Sequence, residues 1–237
     1  MKRLLLMLCS VLSIFVLASC EDEDLDNINQ AQSCLDKVDA ANYADAENCY
    51  DYLDDVSGEQ AALLRCSIAL FAGGITPQRI SNSVTVMSNN SNQGEAYLIT
   101  ALAMDNTTKA STSASYCEKS GNASMKYISN LAVIGTQFAA AGSFLGDITS
   151  GGSNFSPDSG DITAALTGCA GDNACESAIG SALVPLAEDY CSGSGADQSA
   201  CSSVTDAVDA AGGDEERMGE LFLCLMQNPP IAPGSCP

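Results

Sequence analysis

The chain has 237 residues, a formal net charge of −21 at pH 7, and neither histidine nor tryptophan. A surface this acidic repels nucleic-acid phosphates and anionic lipid head groups, so nucleic acid is excluded as a natural partner and charge will not hold the body against a bilayer. The missing histidine removes the commonest general base and the commonest metal ligand. We therefore expect no catalytic activity, no cofactor and no metal site.

The N-terminus has the three parts of a secretion signal. Lys2 and Arg3 are followed by an apolar run over 4–17 and then by Leu17-Ala18-Ser19-Cys20, after which charge appears abruptly. The apolar run is shorter than the roughly twenty residues that a helix needs to cross a bilayer. The pattern predicts that residues 1–19 are a signal peptide that is cleaved off.

The segment Leu17-Ala18-Ser19-Cys20 resembles the lipobox of bacterial lipoproteins. The resemblance implies that Cys20 becomes the acylated first residue of the mature chain, and several acyl chains anchor a protein far more firmly than one. In such lipoproteins an Asp after the cysteine tends to retain the protein at the inner membrane. Here that residue is Glu21, which favours the outer membrane, with the body facing the periplasm or the cell surface.

Residues 20–27 are too acidic to pack and are predicted to be a solvated tether.

The mature chain is more acidic than the full chain, and it is rich in cysteine. Without Lys2 and Arg3 it keeps seven basic residues against 30 acidic ones, a formal charge of −23. Setting aside Cys9 and Cys20, an even number of cysteines remains, which in an exported chain indicates disulfides. These ten are Cys34, Cys49, Cys66, Cys117, Cys169, Cys175, Cys191, Cys201, Cys224 and Cys236. Connectivity does not follow from sequence; we predict pairing between neighbours (34 with 49, 66 with 117, 169 with 175, 191 with 201, 224 with 236), which would staple helical hairpins.

From residue 28 onward helical patterns dominate, and no stretch alternates as a strand. Residues 34–40 align with 66–72 at an offset of 32, and residues 63–70 align with 97–104 at an offset of 34. A period of this length is typical of helical-hairpin repeats. Two amphipathic helices cannot bury their apolar faces alone, so each hairpin must stack on the next.

Between the first two repeats, Tyr43, Ala46 and Tyr50 resemble the junction of tetratricopeptide repeats, which has an aromatic in the turn, a small residue three positions on and an aromatic four beyond that. The resemblance covers about residues 28–106, and the usual first-helix aromatic is missing. It implies an all-α fold, a superhelical α-solenoid of tetratricopeptide-like helical hairpins over 28–148, stapled by disulfides.

Residues 105–124 are polar and are predicted to be a loop pinned by Cys117. The next segment, Tyr127 to Gly146, carries no charge. Its apolar residues recur every three or four positions and predict one continuous helical stripe. The members of this stripe are Tyr127, Leu131, Ile134, Phe138, Ala141, Leu145 and Ile148, of which all but Ala141 are candidates for a self-association or lipid face. A second row of small residues at Gly135, Ala139 and Ser143 would let another helix approach closely. The stripe is either a central core helix or a face for self-association or lipid contact.

Residues 149–237 form a second, disulfide-rich helical part. A loop over 149–160 precedes helices predicted at 161–168, 174–190, 197–211 and 214–227. Pro185 is expected either to kink the second of these helices or to end it early. The tail over 229–237 is predicted to be extended and tied down by Cys236.

Two functional hypotheses follow. The lipid anchor, helical hairpins, small residues and many cysteines resemble the ring-forming, lipid-trapping PopA-type lipoproteins of predatory bacteria. The resemblance implies a non-enzymatic outer-membrane lipoprotein with a structural or assembly role, a homo-oligomer that associates through helix faces and contacts or encloses lipid. The alternative is a monomeric periplasmic adaptor that binds a protein or peptide on the concave face of its repeats, with a preference for basic partners. A pocket with converging polar groups would reopen an enzymatic or transport role.

Overall fold

The fold is helical throughout the part of the chain that the structure describes. The computed structural model describes residues 24–89, 94–192, 198–227 and 236. Cys20 and the predicted signal peptide lie outside these ranges, as does most of the predicted tail. Within them no residue belongs to a strand. The predicted all-α class is confirmed.

The helices follow one another through short connections. In chain order they are α1 (24–35), a 3-10 helix (Ala40–Leu53), α2 (Glu59–Ala72), α3 (Pro77–Asn89), α4 (Gly94–Ala101), α5 (Thr107–Lys119), α6 (Ala123–Ala141), α7 (Leu145–Gly151), α8 (Ser159–Cys169), α9 (Asn173–Pro185), α10 (Gln198–Ala211) and α11 (Glu215–Gln227). A short 3-10 turn covers Gly152–Asn154, and a π-helical turn covers Leu186–Cys191.

Helix α1 already includes residue 24, the first described residue, which lies inside the segment predicted to be a tether. Its first three residues, 24–26, are exposed. Farther along the helix, Ile28, Ala31 and Leu35 recur at helical spacing and pack into a small core with the 3-10 helix and α2. The helical body therefore starts closer to Cys20 than the sequence pattern indicated.

The predicted polar loop over 105–124 is wrong, because most of it is helix α5. The side chain of Asn106 caps the helix by accepting hydrogen bonds from the backbone N–H groups of Thr108 and Lys109. The hydroxyl of Ser113 donates to the carbonyl of Lys109 one turn earlier. The buried side of α5 is made by small residues at helical spacing, so the segment shows little apolar signal although it packs. These residues are Ala110, Ser113 and Cys117.

The predicted continuous stripe over 127–148 is also wrong as a single helix. Helix α6 ends at Ala141, and α7 starts at Leu145 with its axis bent by 117°. Ser143 has a positive φ of 64°, and the N–H of Phe144 donates to the carbonyl of Ala139, which closes the end of α6. No single helix of the described residues has the length and apolar composition of a membrane span; α6 and α7 have them only as this bent pair.

Helix α6 is the centre of the molecule. It packs against α2, α4, α5, α8 and α9. Where it meets α4, a Cβ atom on Gly135 would overlap the backbone oxygen of Ile99, so the glycine is what allows the two backbones to approach. A helix surrounded on all sides has little need of charge, which explains the uncharged segment found in the sequence.

The helices of the second half lie within a few residues of their predicted positions. Pro185 ends the α-helical part of α9, and the chain continues as the π-helical turn. Helices α9 and α11 approach each other at two glycines: a Cβ atom on Gly180 would overlap the backbone oxygen of Glu215, and one on Gly219 that of Glu176. The backbones of the two helices are therefore in direct contact.

Five disulfides join the ten cysteines. The pairs are Cys34–Cys49, Cys66–Cys117, Cys169–Cys175, Cys191–Cys201 and Cys224–Cys236. Each cysteine is bonded to its neighbour in sequence, as in the predicted pairing. The second disulfide does not close a hairpin of consecutive helices, because it links α2 to α5.

Consecutive elements pack as hairpins at four places. The 3-10 helix packs on α2, α3 on α4, α5 on α6, and α10 on α11. The hairpins in turn contact each other through α2 and α5 and through α4 and α6, and α9 packs against both α6 of the third hairpin and α11 of the fourth. The core that results is continuous from Cys66 to the end of α11, with a smaller separate cluster around α1 and the 3-10 helix.

Candidate functional site

The six residues predicted as a self-association or lipid face lie mainly inside the protein. Leu131, Ile134, Phe138 and Ile148 are at most 5% exposed, and Tyr127 and Leu145 are partly buried against the same core. Leu145 and Ile148 are on α7, beyond the break in the stripe. Packing within one chain is therefore enough to explain the spacing of these residues. This is the first of the two interpretations of the stripe, that of a core helix.

A surface groove offers a different candidate site. A cavity of about 350 Å³ opens between the 3-10 helix, α2 and α5. We call it the tyrosine groove, and its lining residues are Glu47, Tyr50, Ala69, Ala72, Thr108, Lys109, Thr112, Ser113 and Tyr116. Its volume lies within the range of small-molecule sites, roughly 300–1,000 Å³.

The groove is held open by small side chains and by a disulfide. Ala69 and Ala72 on α2 are too small to fill the space between α2 and α5. The buried Cys66–Cys117 disulfide ties these two helices together about one turn away from Ala69 and from Ser113. The width of the groove is therefore set by a covalent link.

Two tyrosine rings form its apolar wall. The ring centroids of Tyr50 and Tyr116 are 5.6 Å apart, with an angle of 37° between the ring planes. The hydroxyl of Tyr50 donates to the carbonyl of Arg65 at 3.4 Å. The guanidinium of Arg65 donates to the carbonyls of Leu53 and Val56, which fixes the end of the 3-10 helix against α2. The hydrogen bond of its hydroxyl group therefore helps to fix the position of the Tyr50 ring.

One ion pair spans the groove. The ammonium of Lys109 lies 3.4 Å from the carboxylate of Glu47 and 3.8 Å from that of Asp105. The side chains of Lys109 and Glu47 are 35% and 54% exposed. Exposed pairs of this kind contribute little to stability, so both groups can change partners at small cost. The groove therefore presents an ammonium and a carboxylate side by side.

The pKa of the Tyr50 phenol is raised above its usual value of 10.0. The main cause is burial, and the neighbouring Tyr116 and the negative charge of Glu47 add to it, while Arg65 opposes it. The phenol is consequently neutral over the whole physiological range and can serve as a hydrogen-bond donor.

In an alkaline titration of the folded protein, followed by the near-ultraviolet absorbance of phenolate, Tyr50 is expected to ionise at a higher pH than it does in the unfolded chain. The variant Tyr50→Phe should therefore remove a late step from the curve. Because the native state holds the Tyr50 proton longer than the unfolded state, this residue's contribution to stability is lost as the pH rises above 10. An unchanged late step in Tyr50→Phe would contradict the assignment.

The sequence gives no signal for a second polar feature, the buried Arg79. It is 1% exposed, and its guanidinium donates to the carbonyls of Ala101 and Ala103 at 2.7 and 2.6 Å. It also lies 5.2 Å from the ring centre of Phe155. Burial lowers its pKa to about 10. Arg79 satisfies carbonyl groups at the end of α4 and so acts as a structural cation that joins α3, α4 and the turn before α8.

No protein family, curated protein or solved structure that we compared with this chain matches it. We therefore infer its function from its own residues. Among the described residues, no group of three or more His, Cys, Asp or Glu side chains is placed to hold a metal ion. The sequence does not reveal the tyrosine groove, because the polar composition around Lys109 and Tyr116 predicts a loop there. The spacing of Ala110, Ser113 and Cys117 is the signal that would have shown that segment to be a helix.

Proposed function

We propose that the protein is a non-enzymatic outer-membrane lipoprotein with a structural role, anchored through Cys20 and assembled from copies of itself through helix faces, in contact with lipid or enclosing it. The signal pattern that ends in Leu17-Ala18-Ser19-Cys20 supports the anchor. The resemblance to ring-forming lipoproteins makes a closed ring the expected form of the assembly.

The arrangement of the helical hairpins is also part of this proposal. We infer that the hairpins form a superhelical, tetratricopeptide-like stack. The packing of consecutive elements into hairpins supports it, as do the contacts between hairpins through α2 and α5 and through α4 and α6. Such a stack presents long helix faces that copies of the chain can share.

The observation that carries the assembly proposal is the position of the exposed apolar side chains. Among the described residues, the large apolar side chains on the surface are Leu25, Tyr52 and Val84, which are 50%, 39% and 47% exposed. All three belong to the first elements of the body, α1, the 3-10 helix and α3, which follow the anchor in the chain. The proposed association face is therefore the N-terminal part of the body, and not the stripe over 127–148.

The test is the mass of the mature, lipidated protein in mild detergent, measured by size-exclusion chromatography with light scattering and combined with lipid analysis. We expect a stable oligomer that carries co-purified lipid. Leu25→Glu and Val84→Glu should each reduce the mass towards that of the monomer, because a charge in an apolar contact must be desolvated.

The matched control is Thr167→Glu, which places the same charge on an exposed position of α8. It should leave the mass unchanged. A monomer without bound lipid would refute the assembly role. An oligomer that dissociates equally in the control variant would refute the proposed face.

A second candidate, the monomeric periplasmic adaptor, is favoured by the tyrosine groove. Most cations of the mature chain are already engaged: Arg65 and Arg79 donate to backbone carbonyls, and Lys109, Lys126 and Arg217 pair with carboxylates. The remaining surface is dominated by acidic groups and would attract a basic peptide or protein. A monomer that binds peptides on an array, and loses this binding in Tyr116→Ala but not in Lys119→Met, would support this candidate.

A further inference from the structure

We propose that the tyrosine groove binds a small zwitterion with an apolar side chain, of which an apolar α-amino acid is the simplest example. The inference goes beyond an assembly role and does not depend on it, since a body that forms rings and a body that stays monomeric would both carry this groove.

The apolar part of the ligand is selected by the floor and wall of the groove. Ala69 and Ala72 leave a space of about 350 Å³, and the rings of Tyr50 and Tyr116 border it. Both alanines are largely buried, so the floor is apolar and fixed by the packing of α2. An aromatic or branched aliphatic side chain placed there would stack on the rings and remove apolar surface from water.

The charged part of the ligand is selected by Lys109 and Glu47. Their charged groups are 3.4 Å apart, and both side chains are open to solvent. An α-amino acid carries its ammonium and carboxylate on one carbon, so it can place its carboxylate at Lys109 and its ammonium at Glu47 in one pose. The ligand would replace one exposed ion pair with two that are partly shielded by the ligand itself, which strengthens each of them.

The hydroxyl groups of α5 complete this recognition. Thr108 and Thr112 line the groove one turn apart, on the same helix as Lys109. They can donate to the ligand carboxylate beside the ammonium of Lys109. Ser113 is less available, because its hydroxyl already donates to the carbonyl of Lys109.

The overall charge of the protein excludes a simple anion. The mature chain has a formal charge of −23, and within the lining of the groove Lys109 is the basic residue. Glu47 lines the groove, and Asp105 lies 3.8 Å from the ammonium of Lys109. An anionic ligand would meet a repulsive field, whereas a zwitterion brings no net charge into it.

The test is isothermal titration of the mature, disulfide-bonded protein with L-phenylalanine and L-leucine. We expect a dissociation constant on the order of 1 mM or tighter, which is the value that a ligand of this size reaches with ordinary contacts. N-acetyl-phenylalanine, which lacks the ammonium, and phenylalanine amide, which lacks the carboxylate, should each bind at least about tenfold more weakly.

Three variants separate the groove from the rest of the surface. Lys109→Met and Glu47→Gln should each weaken binding of phenylalanine about tenfold or more, because each removes one of the two charged partners. Lys119→Met changes an exposed lysine at the end of the same helix and should bind as the unaltered protein does. Glu47 is exposed and Lys109 is partly exposed, and circular dichroism verifies that each variant is folded.

Failure of the unaltered protein to bind either amino acid at several times this concentration would overturn the proposal. Equal binding of phenylalanine and its N-acetyl derivative, or equal losses in Lys109→Met and Lys119→Met, would overturn it as well. None of these results bears on the mass of the protein in detergent, so the outcome is distinguishable from a failure of the assembly role.

Discussion

Removal of the Cys66–Cys117 disulfide, by changing both cysteines to alanine, is expected to lower the free energy of unfolding by about 4 kcal/mol. The two cysteines are 51 residues apart in sequence, and both are fully buried. Cutting the link frees a long loop in the unfolded chain and thereby raises the entropy of the unfolded state. It also releases α2 from α5, which would let the tyrosine groove change its width.

The matched control is the Cys169–Cys175 disulfide, whose cysteines are only 6 residues apart. Its removal should cost about 2 kcal/mol by the same loop-length argument. Urea denaturation followed by circular dichroism measures both values, with the other four disulfides intact. Equal losses for the two variants would show that loop length is not what governs stability here.

Replacing Gly180 with alanine is expected to lower the free energy of unfolding by about 2–3 kcal/mol. The added Cβ atom would overlap the backbone oxygen of Glu215, and a backbone atom cannot move aside as the end of a flexible side chain can. Helices α9 and α11 would have to separate along their whole contact, which includes the reciprocal approach at Gly219. The C-terminal half would then be less tightly packed.

The control for this prediction is Gly146→Ala in helix α7. A Cβ atom there has no neighbour within 4 Å. Alanine is the better helix former, so this variant should be as stable as the unaltered protein or more stable by about 0.5–1 kcal/mol. Thermal unfolding of the two variants provides the comparison. A Gly180→Ala protein that unfolds at the same temperature as Gly146→Ala would refute the close approach of α9 and α11.

The helical class was predictable because it depends on local signals. Helical patterns of residues occur in the sequence itself, and they placed the helices of the second half within a few residues. The prediction failed at α5, where the buried side is made of Ala110, Ser113 and Cys117 and lacks the large apolar residues that usually mark a packed face.

The stripe over 127–148 shows why a pattern does not determine what it packs against. Its apolar spacing is the same whether the partner is another helix of the chain, a second copy or lipid. Only the folded chain shows that Ile134 and Phe138 are fully buried and that the stripe breaks after Ala141. The break depends on Ser143 adopting a positive φ, which a serine does not signal in advance.

The tyrosine groove and the buried Arg79 could not be predicted from the sequence. The groove joins residues of the 3-10 helix, α2 and α5 that are spread between positions 47 and 116, and Arg79 reaches carbonyls at the end of another helix. Neither the groove residues nor the partners of Arg79 have a characteristic spacing in the sequence. Their proximity depends on which helices pack together.

By itself the sequence determined that this is a cysteine-rich and strongly acidic helical chain, because composition and helical periodicity do not depend on which segments pack together. The tertiary structure decided that the uncharged segment forms the centre of the core, and that two tyrosines, a lysine and a glutamate meet at one groove. The physical reason is that burial and side-chain proximity depend on contacts between distant segments, which arise only when the helices pack.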